Sequence, residues 1–258
     1  MPKGIYAAAS AMVTEQWAMD VTAENMANAN SAGFKRSELR RGSFAEMLEA
    51  RGRYGDLAGN GGAGVQARST WLDFSPGDLH ASDGEMDLAL VGEGFFRVRD
   101  DQGDLLVTRR GRFMLDENGV ARTSDGYELQ GQGGAVTVPE GVFKIEVNDD
   151  GEIYGLQRVA GGAEQVYIDQ LRIVKPTSAD DYQKLMPRSG QYFEPGSVVF
   201  EDVVRDGPIL RQGQIENANV NAVEELVNMV ALQRRYDAAA NALRRQFRLA
   251  GLSDILSR

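Results

Sequence analysis

Residues 220–250 read VNAVEELVNMVALQRRYDAAANALRRQFRLA, a run with neither glycine nor proline. Within it Ala222, Met229, Tyr236, Leu243 and Ala250 recur every seven residues, and Leu226, Gln233, Ala240 and Phe247 follow the first four at a spacing of four. A 3.5-residue apolar repeat of this kind is the stripe of a helix that packs along another helix. Asn221, with Glu224 three residues on, reads as its capping box. The opposite end of the chain mirrors this pattern. Residues 6–32 also lack glycine and proline, with Ile5, Met12, Met19 and Met26 seven apart and Ala9, Gln16 and Ala23 four residues after the first three. Each run predicts a helix of about 30 residues, roughly 45 Å long at 1.5 Å per residue. Gln16 and Gln233 in the stripes, and alanine at Ala9, Ala23, Ala222 and Ala240, suit a seam against a slender helix better than a wide core face. The expectation is that neighbouring copies complete these seams and that the ends order on assembly. The alternative is that both are core-facing helices of one globule.

Between the two helices the chain changes character: 23 of its 30 glycines lie between residues 41 and 165. Residues 43–51 read as a short amphipathic helix, with Ser43 and Glu46 as a capping box and Phe44, Met47 and Leu48 on one face, and 52–64 as a glycine-rich connector. From Trp71 onward short runs alternate with turns. Residues 95–99 and 105–108 flank Asp100–Gly103, 112–115 and 120–123 flank Glu117-Asn118-Gly119, and 143–147 and 152–156 flank Asp149-Asp150-Gly151. Asn-Gly and Asp-Gly accept positive φ and mark hairpins; Ser82-Asp83-Gly84 and Ser124-Asp125-Gly126 add turns. A last strand group covers 165–174, after which Pro176, Pro187, Pro195 and Pro208 punctuate an irregular return. The fold class read from this is α+β: long N- and C-terminal helices forming a coiled-coil-like pair or bundle, with a central antiparallel β domain. The segments are 1–41 (helix and turn), 42–70 (short helix and connector), 71–212 (β domain) and 213–258 (C-terminal helix).

Composition narrows the chemistry. With 258 residues the chain can bury a sizeable core, and with no cysteine it has no disulfide, thiolate metal site or iron–sulfur cluster. His80 is its only histidine, so a zinc site needing two imidazoles is excluded within one chain, and no serine elbow or ligand pattern surrounds it. A net charge of −10 argues against nucleic-acid binding. The two ends (1–41 and 217–258) sum to +3, leaving −13 on the middle. Gly59–Gly64 matches G-x-G-x-x-G, but no strand precedes it and no helix follows, so it reads as linker. Residues 100–104 and 148–151 resemble calcium loops without the bidentate glutamate and read as turns. The 38 carboxylates hold no singled-out acid–base pair. Arg234, Arg235, Arg244, Arg245 and Arg248 read as solvated helix flanks. Lys3 before an apolar stretch at 7–13 imitates an export signal, but Glu15 and Asp20 interrupt it, and no run approaches the ~20 apolar residues of a membrane span. No cofactor, metal or membrane insertion is expected.

Residues 25–36, NMANANSAGFKR, resemble the N-terminal signature of bacterial flagellar rod and hook proteins. Gly213-Gln214-Ile215-Glu216, Asn219-Val220-Asn221, VEELVNMV at 223–230 and QRRY at 233–236 resemble the family's C-terminal signature. DLAL at 87–90, GEGFF at 92–96, TRRGRF at 108–113 and DGY at 125–127 resemble its β domain. Ser31 stands where threonine is usual, Ala218 where serine is common, and the tail 249–258 departs from the pattern. The resemblance implies a non-enzymatic subunit of the basal-body rod, exported through the flagellar type III apparatus. Its partners would be copies of itself and other rod or hook axial proteins, its terminal helices packing into an inner tube and its β domain into an outer layer. The polymerisation interface expected on this basis comprises Ile5, Met12, Met19, Met26, Gly33, Phe34, Leu226, Met229, Gln233, Tyr236, Leu243 and Phe247. Gly33 would close the first helix in a left-handed turn and Phe34 anchor the exit. Residues 3–6 and the irregular 175–211 segment favour the proximal rod type over the distal. The rivals are a secreted peptidoglycan-degrading enzyme and an adhesin or tail-fibre-like protein.

Overall fold

The computed structural model describes residues 3–43, 65–159, 162–188, 191–203 and 209–256. The fold is α+β, and it divides into two compact units, one from residues 1–27, 37–73 and 221–258, the other from residues 28–36 and 74–220.

The first unit pairs helix α1 (Lys3–Ala27) with helix α2 (Ala222–Leu256), and a ribbon of strands β1 (Ser37–Ser43) and β2 (Val65–Leu72) packs on α1. Asn221 caps α2: its Oδ1 accepts from the backbone N–H groups of Val223 (3.0 Å) and Glu224 (3.4 Å). α1 stops at Ala27, short of the expected Ala32, because the asparagine-rich 28–33 segment turns instead, Ser31 N donating to Asn28 O at 2.9 Å. The ribbon had no counterpart in the sequence reading. Ser43, expected to cap a short helix, is the last residue of β1 and pairs with Val65. The rest of that expected helix and the connector, residues 44–64, lie outside the described residues. The ribbon is fastened to α1 by Asn25, buried, which donates Nδ2 to Ser37 O (2.8 Å) and accepts Ser37 N–H on Oδ1 (2.9 Å), and by a two-pronged Arg41–Glu15 pair at 3.0 and 3.2 Å.

The second unit is antiparallel. Its earlier strands are β3 (Leu79–Ala81), β4 (Leu88–Val91), β5 (Phe95–Arg99), β6 (Leu105–Thr108), β7 (Met114–Leu115), β8 (Ala121–Arg122) and β9 (Glu128–Leu129). The later ones are β10 (Val142–Val147), β11 (Glu152–Val159), β12 (Gly162–Gln170), β13 (Ile173–Pro176), β14 (Met186–Arg188), β15 (Tyr192–Glu194), β16 (Phe200–Asp202), β17 (Ile209–Gln212) and β18 (Gln214–Glu216). The largest sheet runs β14-β15-β6-β5-β9-β8-β7, with β13 bridging β5 and β16; β10-β11-β12 form a meander, and β17 pairs β4 while β18 pairs β3. The three hairpins read from turn chemistry all form, β5–β6, β7–β8 and β10–β11. The 165–174 strand group divides between the meander and the large sheet, and the proline-punctuated return contains β14–β16. Pro187 sits in β14, an edge strand, where the N–H it lacks breaks no ladder bond. The core lies here: Leu88, Phe96, Val98, Leu106, Leu129 and Ile153 are wholly buried.

Candidate functional site

Helical faces decide which of the expected interface residues the folded chain uses for itself. On α2, Glu225 and Leu232 are buried, and Met229, Tyr236, Ala239, Leu243 and Gln246 are half-buried. This is a heptad stripe. Its 229/236/243 row coincides with one expected row; within the chain the second row is 225/232/239/246, while of 226/233/240/247 only Ala240 is half-buried. Leu226, Gln233 and Phe247 are accordingly exposed. Apolar content alone favours the 226 row, because the row buried within the chain carries Glu225 and Gln246. On α1 the buried positions are Thr14, Ala18, Thr22 and Asn25. Ile5, Met12 and Met19 are only half-buried and Met26 is exposed. Small and hydrogen-bonded side chains occupy the inside because the ribbon lies close to this face: Thr14 Oγ1 donates to Ser10 O at 2.9 Å, and Asn25 is taken up by Ser37. Gly33 and Phe34 belong to the β unit and are buried in it.

Two apolar features of the helical unit remain open. Between the helices runs a groove of about 530 Å³, lined on α1 by Met12, Val13, Gln16 and Trp17 and on α2 by Tyr236 and Leu243. Val13 is 68% exposed and Trp17 52%. On the side of α2 turned away from its buried stripe, Val223, Leu226, Val227 and Val230 form an exposed ridge, with Val223 at 69% and Val227 at 64%. Apart from Leu226, the sequence reading did not select the ridge, nor did it select Val13 and Trp17. The signal was there, as i, i+4, i+7 valines outside the heptad.

In the β unit the two signature segments are tied together by a buried ionic knot. Lys35 Nζ, 0% exposed, donates to Glu216 Oε1 at 2.7 Å and to Ser75 O at 2.6 Å, and Gly77 N–H donates to the same Oε1 at 3.0 Å. Arg109 Nη1 approaches Glu216 Oε2 at 3.8 Å and Leu90 O at 3.5 Å, its guanidinium lies over the Phe95 ring, and Nη2 donates to Gly92 O. Burial pulls the Arg109 guanidinium below its usual range, with Glu216 opposing. The backbones follow: Gly33 N donates to Glu216 O at 2.7 Å, and Arg36 N to Asn219 Oδ1 at 2.7 Å. Gly33 has the expected left-handed conformation (φ 70°) but does not close α1, which ends at Ala27, and a Cβ there would stand 2.5 Å from Arg109 C and Arg110 N. The knot holds the 33–36 and 214–219 segments together within the β unit. Sequence reading placed Lys35, Arg109 and Glu216 inside the family signatures but gave a role only to Gly33 and Phe34.

The remaining candidates offer no reactive arrangement among the described residues. His80 is exposed in β3. Asp100 Oδ1 accepts from Gln102 N (2.9 Å) and Asp104 N (2.8 Å), and Asn148 Oδ1 from Glu152 N (2.8 Å), so these side chains close their own turns. Among the described residues, no three His, Asp or Glu side chains gather as a cation site, and no helix is long and apolar enough to cross a membrane. Arg234, Arg235, Arg244, Arg245 and Arg248 are exposed.

Three family models match the chain: a flagella basal body rod protein model over residues 5–35, the flagellar hook protein FlgE/F/G D1 domain over 89–155, and the flagellar basal body rod FlgEFG protein C-terminal model over 211–250. These fall on α1 with the signature turn, on the β core and on α2. The chain is 30% identical over 254 residues to the flagellar basal-body rod protein FlgG of Bacillus subtilis, covering 92% of each chain. It is 27% identical over 277 residues to FlgG of Borreliella burgdorferi, covering all of both. It is 27% identical over 248 residues to the basal-body rod protein FlgF of Caulobacter vibrioides, covering 94% of this chain and 93% of the relative.

Proposed function

This chain belongs to the flagellar basal-body rod protein family and is a structural subunit of the rod, and from that premise we propose that its paired terminal helices are the polymerising element. The observation that carries this reading is the apolar surface left open on both helices, Val13 and Trp17 on α1 and the 223–230 ridge on α2, in a chain whose β unit already has a closed core. An exposed apolar surface on a soluble part marks an interaction face. The helices pack in a coiled-coil-like manner with those of other copies and of other rod and hook axial proteins. Of the twelve interface positions, Ile5, Met12, Met19, Met26, Leu226, Met229, Gln233, Tyr236, Leu243 and Phe247 act by contact, and Gly33 and Phe34 act by fixing the exit turn. The chain catalyses no reaction, reaches the rod through the flagellar type III export apparatus, and transmits torque by head-to-tail contacts that do not close.

Replacing Leu226 and Met229 together with aspartate leaves the β unit folded and abolishes incorporation into basal bodies. Normal motility of that double variant refutes the reading. The residue 3–6 opening and the 175–211 segment favour a proximal position over a distal one, and a gold label on the chain, resolved along the rod axis, decides between them: label confined to the outer half refutes the proximal assignment.

A further inference from the structure

We propose that the valine ridge of α2 in one copy seats in the α1–α2 groove of the next copy, Val223, Val227 and Val230 lying against Val13 and Trp17. This rests on the reading of the chain as a rod subunit and names the surface and the partner surface of one of its contacts. Three observations support it. The ridge has the i, i+4, i+7 spacing of a helix that anchors in an apolar groove, and the groove is open, with Val13 and Trp17 on its rim exposed. The ridge faces away from the stripe that holds α2 to α1, so it cannot reach the groove of its own copy. The charges match as well. Residues 4–34 carry no lysine or arginine, Glu15 is already taken by Arg41, and Asp20 is the carboxylate that borders the groove. By contrast, Arg234 continues the ridge four residues beyond Val230, and neither it nor Arg235 forms an ion pair with another described residue.

Ridge and groove are different surfaces, so the contact is heterologous. Each copy offers a ridge to one neighbour and a groove to another, and the chain of contacts propagates rather than closing in a two-fold dimer.

The absence of cysteine makes disulfide trapping clean. Full-length Trp17→Cys and Val227→Cys chains are co-expressed, basal bodies are isolated and oxidised, and products are resolved without reductant. The contact gives a covalent dimer only when both variants are present, and a ladder when one chain carries both substitutions. Leu232→Cys, on the inward face, gives no product with Trp17→Cys. If the cysteine variants do not enter basal bodies, the purified chains are concentrated and treated with a short bis-maleimide, with the same readout. A 17–227 product supports the contact. Its absence in both settings, or Val227–Val227 dimers alone, overturns it. In co-expression with the parent, Val227→Asp enters basal bodies about tenfold less often or worse, and equal entry also overturns it. Absence of the unmodified chain from basal bodies is a different result: it refutes the rod assignment itself, whatever the cross-links show.

Discussion

Glu216→Ala tests whether the ionic knot holds the 33–36 and 214–219 segments together. Glu216 lies within ion-pair reach of both Lys35 and Arg109, and the side chains of all three are at most 4% exposed. Its removal takes this carboxylate away from two buried cations, and breaking one partner out of a buried pair costs about 3–5 kcal/mol. That is a large part of the roughly 5–15 kcal/mol that holds a domain folded, and at about 2–4 °C per kcal/mol it lowers the melting temperature by ~6–20 °C. Glu216→Gln keeps an acceptor for the Gly77 N–H but loses the charge, and falls between parent and alanine. Lys35→Met combined with Glu216→Ala is less destabilised than the sum of the single variants, because one buried charge has gone with its partner. Urea unfolding followed by far-UV circular dichroism gives the energies. Because the chain has two units, hydrogen exchange at residues 33–36 and 214–219 shows whether the loss sits at the knot. Glu216→Ala within about 1 kcal/mol of the parent, or additive effects in the double variant, refutes the assignment of an energetic role to the knot.

Gly33→Ala combines an unfavourable φ of 70° with a Cβ 2.5 Å from the Arg109–Arg110 backbone, so it lowers stability by more than the ~1 kcal/mol of the strained φ alone, measured by thermal unfolding. Asn25→Ala removes both bonds to Ser37 from a buried site and costs about 1–3 kcal/mol, seen as faster exchange of the β1–β2 amides with the β unit unaffected. Burial and the Asp125 bond push the Tyr192 hydroxyl up to about 12, and burial with Glu93 does the same for Tyr182. Both hold their proton more tightly folded than unfolded, so their contribution is complete below the unfolded value of 10.0 and is lost as pH rises toward about 12. Tyr192→Phe removes much of that alkaline loss, as pH-dependent melting records.

Local chemistry made much of the fold legible. The three hairpins form where turn residues called for them because an Asx turn is settled within four or five residues: Asp116 Oδ1 accepts from Asn118 N and Val120 N at 2.8 Å whatever lies elsewhere. Both long helices were legible from their repeats and their lack of breakers. The β1–β2 ribbon was not, because SELRRGS has no apolar alternation and its partner strand begins only at Val65. The chosen face of each helix was legible only in part. A heptad with apolar residues at one row leaves the second row open by one position, and buried polar residues, Glu225 on α2 and Asn25 on α1, tip the choice once they have partners.

The sequence by itself determined the two long helices, the three turn-marked hairpins, the positive φ at Gly33 and the family signatures, since each depends on residues close together along the chain. The tertiary structure decided the rest. Lys35 meets Glu216 across 181 positions, α1 turns threonine and alanine inward and leaves Val13 and Trp17 at an open groove, and α2 turns a valine ridge to solvent. These choices depend on which polar groups find partners when distant segments pack, because a buried polar group is costly alone and tolerated once bonded.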